Sequence, residues 1–164
     1  VTCVTITLMA GSLYADDEKR TATPGTDNLS RHVATKATPG GQTTLRDSTG
    51  RTLGTANTTG TKTTLRDSSG RTTGTAVVEG NHTVFRDAAG RTQWTATSSS
   101  SQTTTYRDAS GRTLGTASKS GAGETFRDAG GRTTGTVQQN GSSTTLRDAS
   151  GRTVGTTTST GTKR

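Results

Sequence analysis

The chain of 164 residues has one cysteine, two prolines, two histidines and only 3% aromatic residues. Each shortage excludes something. Cys3 cannot pair within the chain, so there is no disulfide framework. His32 and His82 lie far apart with no cysteine near either, which leaves no metal-ligand spacing. No Ser-His-Asp or Cys-His arrangement suggests itself, and the G-G-x-G-x-D nonapeptide of a calcium β-roll is missing. The sequence therefore predicts no catalytic residue, no cofactor and no metal, and a protein that is not an enzyme. Hydrophobic residues make up 24%, whereas ordinary globular domains reach about 45–50% in a count that includes glycine. A thick core is excluded. The one apolar stretch, Val1 to Tyr14, is shorter than the roughly 20 residues of a membrane-spanning helix.

That stretch is followed by Ala15 and the charged run Asp16-Asp17-Glu18-Lys19-Arg20. Residues 1–15 read as the apolar part and cleavage region of a secretory signal peptide, which predicts a secreted or cell-surface chain without a membrane span in its mature form. The competing reading of "VTCVTITLM" is a β-strand. Residues 16–40 hold both prolines, Pro24 and Pro39, and read as a flexible polar leader.

Beyond residue 40 the chain is periodic. About a quarter of it is threonine, a strand former, and 22 residues are glycine. The pair Arg-Asp recurs at 46–47, 66–67, 86–87, 107–108, 127–128 and 147–148, with one extra residue in "TSSSSQ" at 97–102. Six 20-residue repeats thus fill 41–160, and 161–164 read as the start of a further copy or a tail. Each copy contains D-x-x-G: Asp47 with Gly50, Asp67 with Gly70, Asp87 with Gly90, Asp108 with Gly111, Asp128 with Gly131 and Asp148 with Gly151. Asp caps such a turn and Gly supplies the positive φ of a type I turn with a following bulge. A second Gly recurs at the half-period (Gly60, Gly80). The expected unit is a strand of about six residues and a turn of four, twelve times over.

Two all-β architectures share this spacing: an antiparallel hairpin meander and a two-sheet β-solenoid. In a solenoid, like charges would stack, which is unfavourable. In the meander, four-residue turns would set Asp47 opposite Arg51 and Arg51 opposite Asp67, giving an alternating charge row through Arg51, Arg71, Arg91, Arg112, Arg132 and Arg152. That favours the meander. The same register predicts an apolar row of Leu45, Leu53, Leu65, Phe85, Tyr106, Leu114, Phe126, Leu146 and Val154, interrupted by Thr73, Gln93 and Thr134. It also predicts a threonine row of Thr43, Thr55, Thr63, Thr75, Thr83 and Thr95. The opposite face is expected to carry Gly54, Ala56, Thr64, Gly74 and Ala76, with Trp94 as the exception. A flat strip of twelve such strands must wind, pack on a second sheet or assemble, and its end strands would offer open edges.

"YRDASGRTLGTA" at 106–117 resembles the D-x-x-G-R hairpins of bacterial YD (Rhs-type) repeats through Asp108, Gly111 and Arg112, and the short Thr/Gly-rich tandem hairpin repeats of secreted bacterial proteins. The layout is also similar to curlins, the functional-amyloid subunits of biofilm fibres, by architecture only. The resemblance implies an extracellular, self-associating structural protein.

Net charge is +8, which attracts anionic partners. The positive residues are spread over the repeats and lack the aromatic stacking platforms of nucleic-acid binders, so no specific nucleic acid is expected. Asn28, Asn57, Asn81 and Asn140 head N-x-S/T sequons and are candidate glycosylation acceptors. The favoured function is a secreted repeat protein that assembles through its strand edges into an extracellular fibre or matrix; the alternative is an adhesin or stalk module binding anionic surface polysaccharide through its arginine rows, and an ice-binding protein using the threonines ranks third.

Overall fold

A computed structural model describes residues 5–9, 32–36 and 41–160 of the chain. β1 (Thr5–Met9) and β2 (His32–Lys36) form an antiparallel pair, with Thr5 opposite Lys36 and Met9 opposite His32. The expected cleavage point at Ala15 and most of the expected leader lie outside the described residues.

The repeats form β3 (Gln42–Asp47), β4 (Thr52–Thr59), β5 (Lys62–Asp67), β6 (Thr72–Glu79), β7 (His82–Asp87) and β8 (Thr92–Ser98), followed by β9 (Thr103–Asp108), β10 (Thr113–Ser120), β11 (Gly123–Asp128), β12 (Thr133–Asn140), β13 (Ser143–Asp148) and β14 (Thr153–Thr160). Every neighbour in this run is antiparallel, and β14 pairs back onto β3. The architecture is a hairpin meander closed into a twelve-stranded barrel, not a solenoid. Closure also removes the open edges expected of a flat strip, because the two end strands satisfy each other.

Two kinds of turn alternate. At one end, D-x-x-G makes the four-residue turn: the Asp47 N–H donates to the Arg51 carbonyl and the Gly50 N–H to the Asp47 carbonyl, both at 3.0 Å. Gly50 sits at φ 85°, and the same two bonds recur in all six copies. At the other end the expected four-residue turn is replaced by a two-residue one. Thr59 lies opposite Lys62 around Gly60-Thr61, with Gly60 at φ 59°. A glycine at the first central position is what a type II′ turn needs, and its twist matches the flanking strands. Strands of six and eight residues therefore alternate, except that β8 has seven.

The inserted residue at 97–102 turns one of these tight connections into a four-residue loop. There the Ser99 N–H donates to the Thr103 carbonyl at 2.8 Å, and Gln102 takes the positive φ (61°) that glycine holds elsewhere. A non-glycine residue in that region costs about 1 kcal/mol or more. Gln102→Gly is expected to raise stability by roughly 1 kcal/mol, read as an upward shift in a urea-unfolding midpoint at unchanged slope.

Each D-x-x-G hairpin carries a bulge. Arg46 lies opposite Thr52, but Leu45 lies opposite Gly54, so Leu53 is the extra residue. The shift recurs in β5–β6, β7–β8, β9–β10, β11–β12 and β13–β14. A one-residue slip moves every following side chain to the other face. The expected rows are corrected accordingly. The apolar row splits: Leu45, Leu65, Phe85, Tyr106, Phe126 and Leu146 are buried, whereas Leu53 and Leu114 are exposed bulge residues and Val154 is half-buried against the core. The threonine row splits too, with Thr43, Thr63 and Thr83 buried and Thr55, Thr75 and Thr95 half-buried on the alternate, outward face.

Inside the barrel, large and small side chains alternate from strand to strand. Leu65 faces Ala56, Phe85 faces Ala76, Phe126 faces Ala117 and Leu146 faces Val137. Large against small lets neighbouring strands bury both partners without overpacking. The glycines meet the same requirement more severely. A Cβ on Gly54, Gly74 or Gly115 would land on the carbonyl oxygen of Arg66, Arg86 or Arg127 in the next strand. Trp94 occupies that position in the third copy, stacks on Phe85 with ring centroids 3.3 Å apart, and meets Tyr106 edge-on at 5.7 Å. Toward the tight-turn end the lining becomes hydroxyl-rich. Thr58 and Thr63 bond at 2.9 Å and Ser98 and Thr104 at 3.0 Å. Among the described residues no buried side-chain nitrogen or oxygen lacks a partner.

Candidate functional site at the arginine rim

In a meander, turns that follow alternate strands lie at the same end. All six D-x-x-G-R turns therefore ring one rim, and each brings two arginines, one before the Asp and one after the Gly. Residues 41–160 hold fourteen Arg and Lys against eight Asp and Glu. Twelve of those cations and six of those anions, all Arg and Asp, belong to these turns, so the net +6 of the barrel equals the net charge of this rim. The opposite end carries Lys62, Lys119, Glu79 and Glu124, which cancel. Turns of neighbouring repeats are two strands apart, about 10 Å along the rim, comparable with the screening length at physiological salt. Their fields overlap.

The two arginine sets are held differently. Arg46 lies on the outward face and donates from Nη1 to the Gly50 carbonyl at 2.9 Å and to Thr52 Oγ1 at 3.0 Å. Arg107 and Arg127 repeat both contacts at 3.1–3.2 Å. Each guanidinium braces its own turn through one nitrogen, and its residue stays exposed. Arg51 is freer, with its side chain 80% exposed and its Nε 3.5 Å from Asp47 Oδ2. Arg91 and Arg152 pair likewise with Asp87 and Asp148.

The alternating charge row is corrected by this geometry. Arg51 meets only the Asp of its own turn, because the tight turn and the bulge set Asp67 opposite Gly54. In place of Arg51, Thr55 lies opposite Arg66, so each repeat joint is threonine against arginine on the outside. The pairings that tie copies together are therefore backbone ladders, not an ionic ladder.

The aspartates serve the turns. Asp47 Oδ1 accepts from the Thr49 hydroxyl at 2.6 Å and from the backbone N–H groups of Thr49 and Arg51 at 2.9 and 3.0 Å. Ser110 and Ser150 serve Asp108 and Asp148 in the same way. These hydroxyl bonds, with the backbone donors and the neighbouring arginine, hold the Asp47, Asp108 and Asp148 carboxyls below the ordinary aspartate value. Where the folded-state pKa lies below the unfolded one, stability is present above the unfolded value and is lost as pH falls through the folded value. Thermal stability is thus expected to drop as the protein is taken from about pH 5 downward, and the triple change Asp47→Asn, Asp108→Asn, Asp148→Asn should flatten that slope in pH-dependent melts. Glu124 works in the opposite sense. Burial pushes its carboxyl up while Lys119 pulls it down, so acidification relieves its cost.

Among the described residues no three His, Cys, Asp or Glu side chains gather as a metal site, and no helix is long and apolar enough to cross a membrane. The outward strand faces carry threonine and arginine, unlike the apolar band of a lipid-facing barrel. Asn57 and Asn140 are exposed strand residues. Asn81 lies in a tight turn and donates to the Ser98 carbonyl at 3.0 Å, and Asn28 lies outside the described residues. No family model matches the chain, and no curated protein does either. The likeness to YD repeats therefore rests on the D-x-x-G-R phrase and the tandem hairpin layout, and that to curlins on the layout alone.

Proposed function

We propose that this chain is a non-catalytic, extracellular repeat module that binds anionic polysaccharide through its arginine rim. The observation that supports this most is charge segregation: the barrel's net +6 equals that of one ring of turns, where guanidinium groups are exposed and regularly spaced. A regular array suits a polymer with repeating carboxylates or sulfates, because several weak contacts engage together. Replacing Arg51, Arg71 and Arg91 by Gln removes three exposed contacts of about 0.5–1 kcal/mol each, and a roughly ten- to hundredfold weaker affinity is expected. Binding of polygalacturonate against neutral dextran, at two salt concentrations, reads this directly. Salt-independent binding, or full affinity in the triple variant, would refute the proposal.

A second reading is assembly into a fibre or matrix. Its support is the joint between β14 and β3, whose register repeats that of the joints between copies. A closed barrel has no spare edge, so assembly on this reading requires that joint to open. Electron microscopy of concentrated protein tests it, and the absence of filaments removes it. The ice-binding reading gains no support, since the outward threonines run round a closed barrel and alternate with arginine.

A further inference from the structure

We infer that copies of this chain exchange their first barrel hairpin, opening at the joint between β14 and β3. The use of such exchange in a fibre rests on the assembly reading; the exchange itself stands on three features of the fold.

The first is register. Across the closing joint Gly155 faces Asp47, Thr156 faces Arg46 and Thr158 faces Thr44. One repeat along, Gly54 faces Asp67, Thr55 faces Arg66 and Asn57 faces Thr64. Nothing in the pairing pattern distinguishes the closing joint from an internal one, so a strand edge released there is complementary to the same edge of another copy. The second is connectivity. The other five joints between repeats are spanned by a turn, and this one is not. The third is packing. The other joints set Ala or Val against a large apolar side chain; here Thr157 takes the small position against Leu45. Beyond it Thr43 and Ser159 meet only through hydroxyls 3.4 Å apart. Of the inward pairs across the six joints, the one at the closing joint is thus the least apolar, and no turn tethers it.

Opening detaches β3 and β4 about the two-residue Gly60-Thr61 turn. The gap left between β14 and β5 is one hairpin wide, and the β3–β4 hairpin of a second copy restores the same pairs. Reciprocal exchange closes both barrels without a new interface, which is the condition for domain swapping, and a short hinge turn favours it.

The test uses the full chain with Cys3→Ser, concentrated, held just below its melting midpoint and then cooled, with mass read by light scattering. The parent is expected to gain dimers, and two differently tagged batches to form mixed dimers only when heated together. A disulfide between Thr44→Cys and Thr158→Cys should abolish the dimer until it is reduced. One between Ser118→Cys and Thr125→Cys, the matching pair in an internal joint, should leave dimer formation intact. Opposed strand residues lie about 5.5 Å apart, within disulfide reach. A parent that stays monomeric, a stapled closing joint that still dimerises, or loss of the dimer in both stapled forms would overturn the inference. Dimers that never extend into filaments would support exchange while removing the fibre reading.

Discussion

Trp94→Gly is expected to destabilise the barrel by about 3 kcal/mol, lowering the melting temperature by roughly 10 °C. The expectation runs against simple repeat logic, because glycine holds the matching position in the other five copies: Gly54, Gly74, Gly115, Gly135 and Gly155. A consensus change of this kind usually stabilises. Here the neighbours differ as well. Phe85 stacks flat on the indole and Tyr106 meets its edge, and Trp94 is only 5% exposed. Glycine would take away the indole that both rings pack against and open a cavity the sheet cannot close. A denaturant-unfolding midpoint that matched or exceeded the parent's would show that the aromatic trio is decoration.

The reverse change carries the second large effect. Gly115→Val places a Cβ on the Arg127 carbonyl oxygen and adds two methyl groups at a buried position. The obstacle is backbone, so no rotamer relieves it, and β10 and β11 must separate. A loss of about 2–3 kcal/mol is expected. Trp94 shows that the position can carry a flat ring that stacks on its neighbours; Gly115 lies directly opposite Tyr106, and a branched valine would crowd that ring as well as the Arg127 carbonyl. Gly111→Ala is a useful comparison. It strains a turn glycine at φ 86° with open space around its Cβ position, so it should cost about 1 kcal/mol. If Val at 115 cost no more than Ala at 111, the close approach of the strands would not be limiting.

How far the sequence could be read follows from where its signals are local. D-x-x-G and the Asp-capped turn are chemistry within five residues, and the 20-residue period with its antiparallel hairpins was legible. The tight turns were partly so: Gly60 was visible as a turn glycine, but whether it sat first in a two-residue turn or last in a four-residue one was not. That ambiguity, with the bulge at Leu53, decided which face each side chain took. Nothing about Leu53 distinguishes it in sequence from Leu45, yet one is surface and the other core. The gathering of arginines on one rim needed only the alternation of turns and could have been deduced from the meander. Closure could not, because it depends on how far twelve twisted strands curl.

Closure turns copy number into a dimension. In an open solenoid an added repeat lengthens the molecule and leaves every existing contact as it was. In this barrel each 20-residue copy contributes two strands, about 10 Å of circumference. A duplication or loss of one copy would therefore change the girth, and with it the width of the interior that Leu45, Phe85 and Phe126 must fill. Six copies is then a specification of the interior. A chain so easily lengthened or shortened by recombination between near-identical segments is held to its count by the width of the space it encloses.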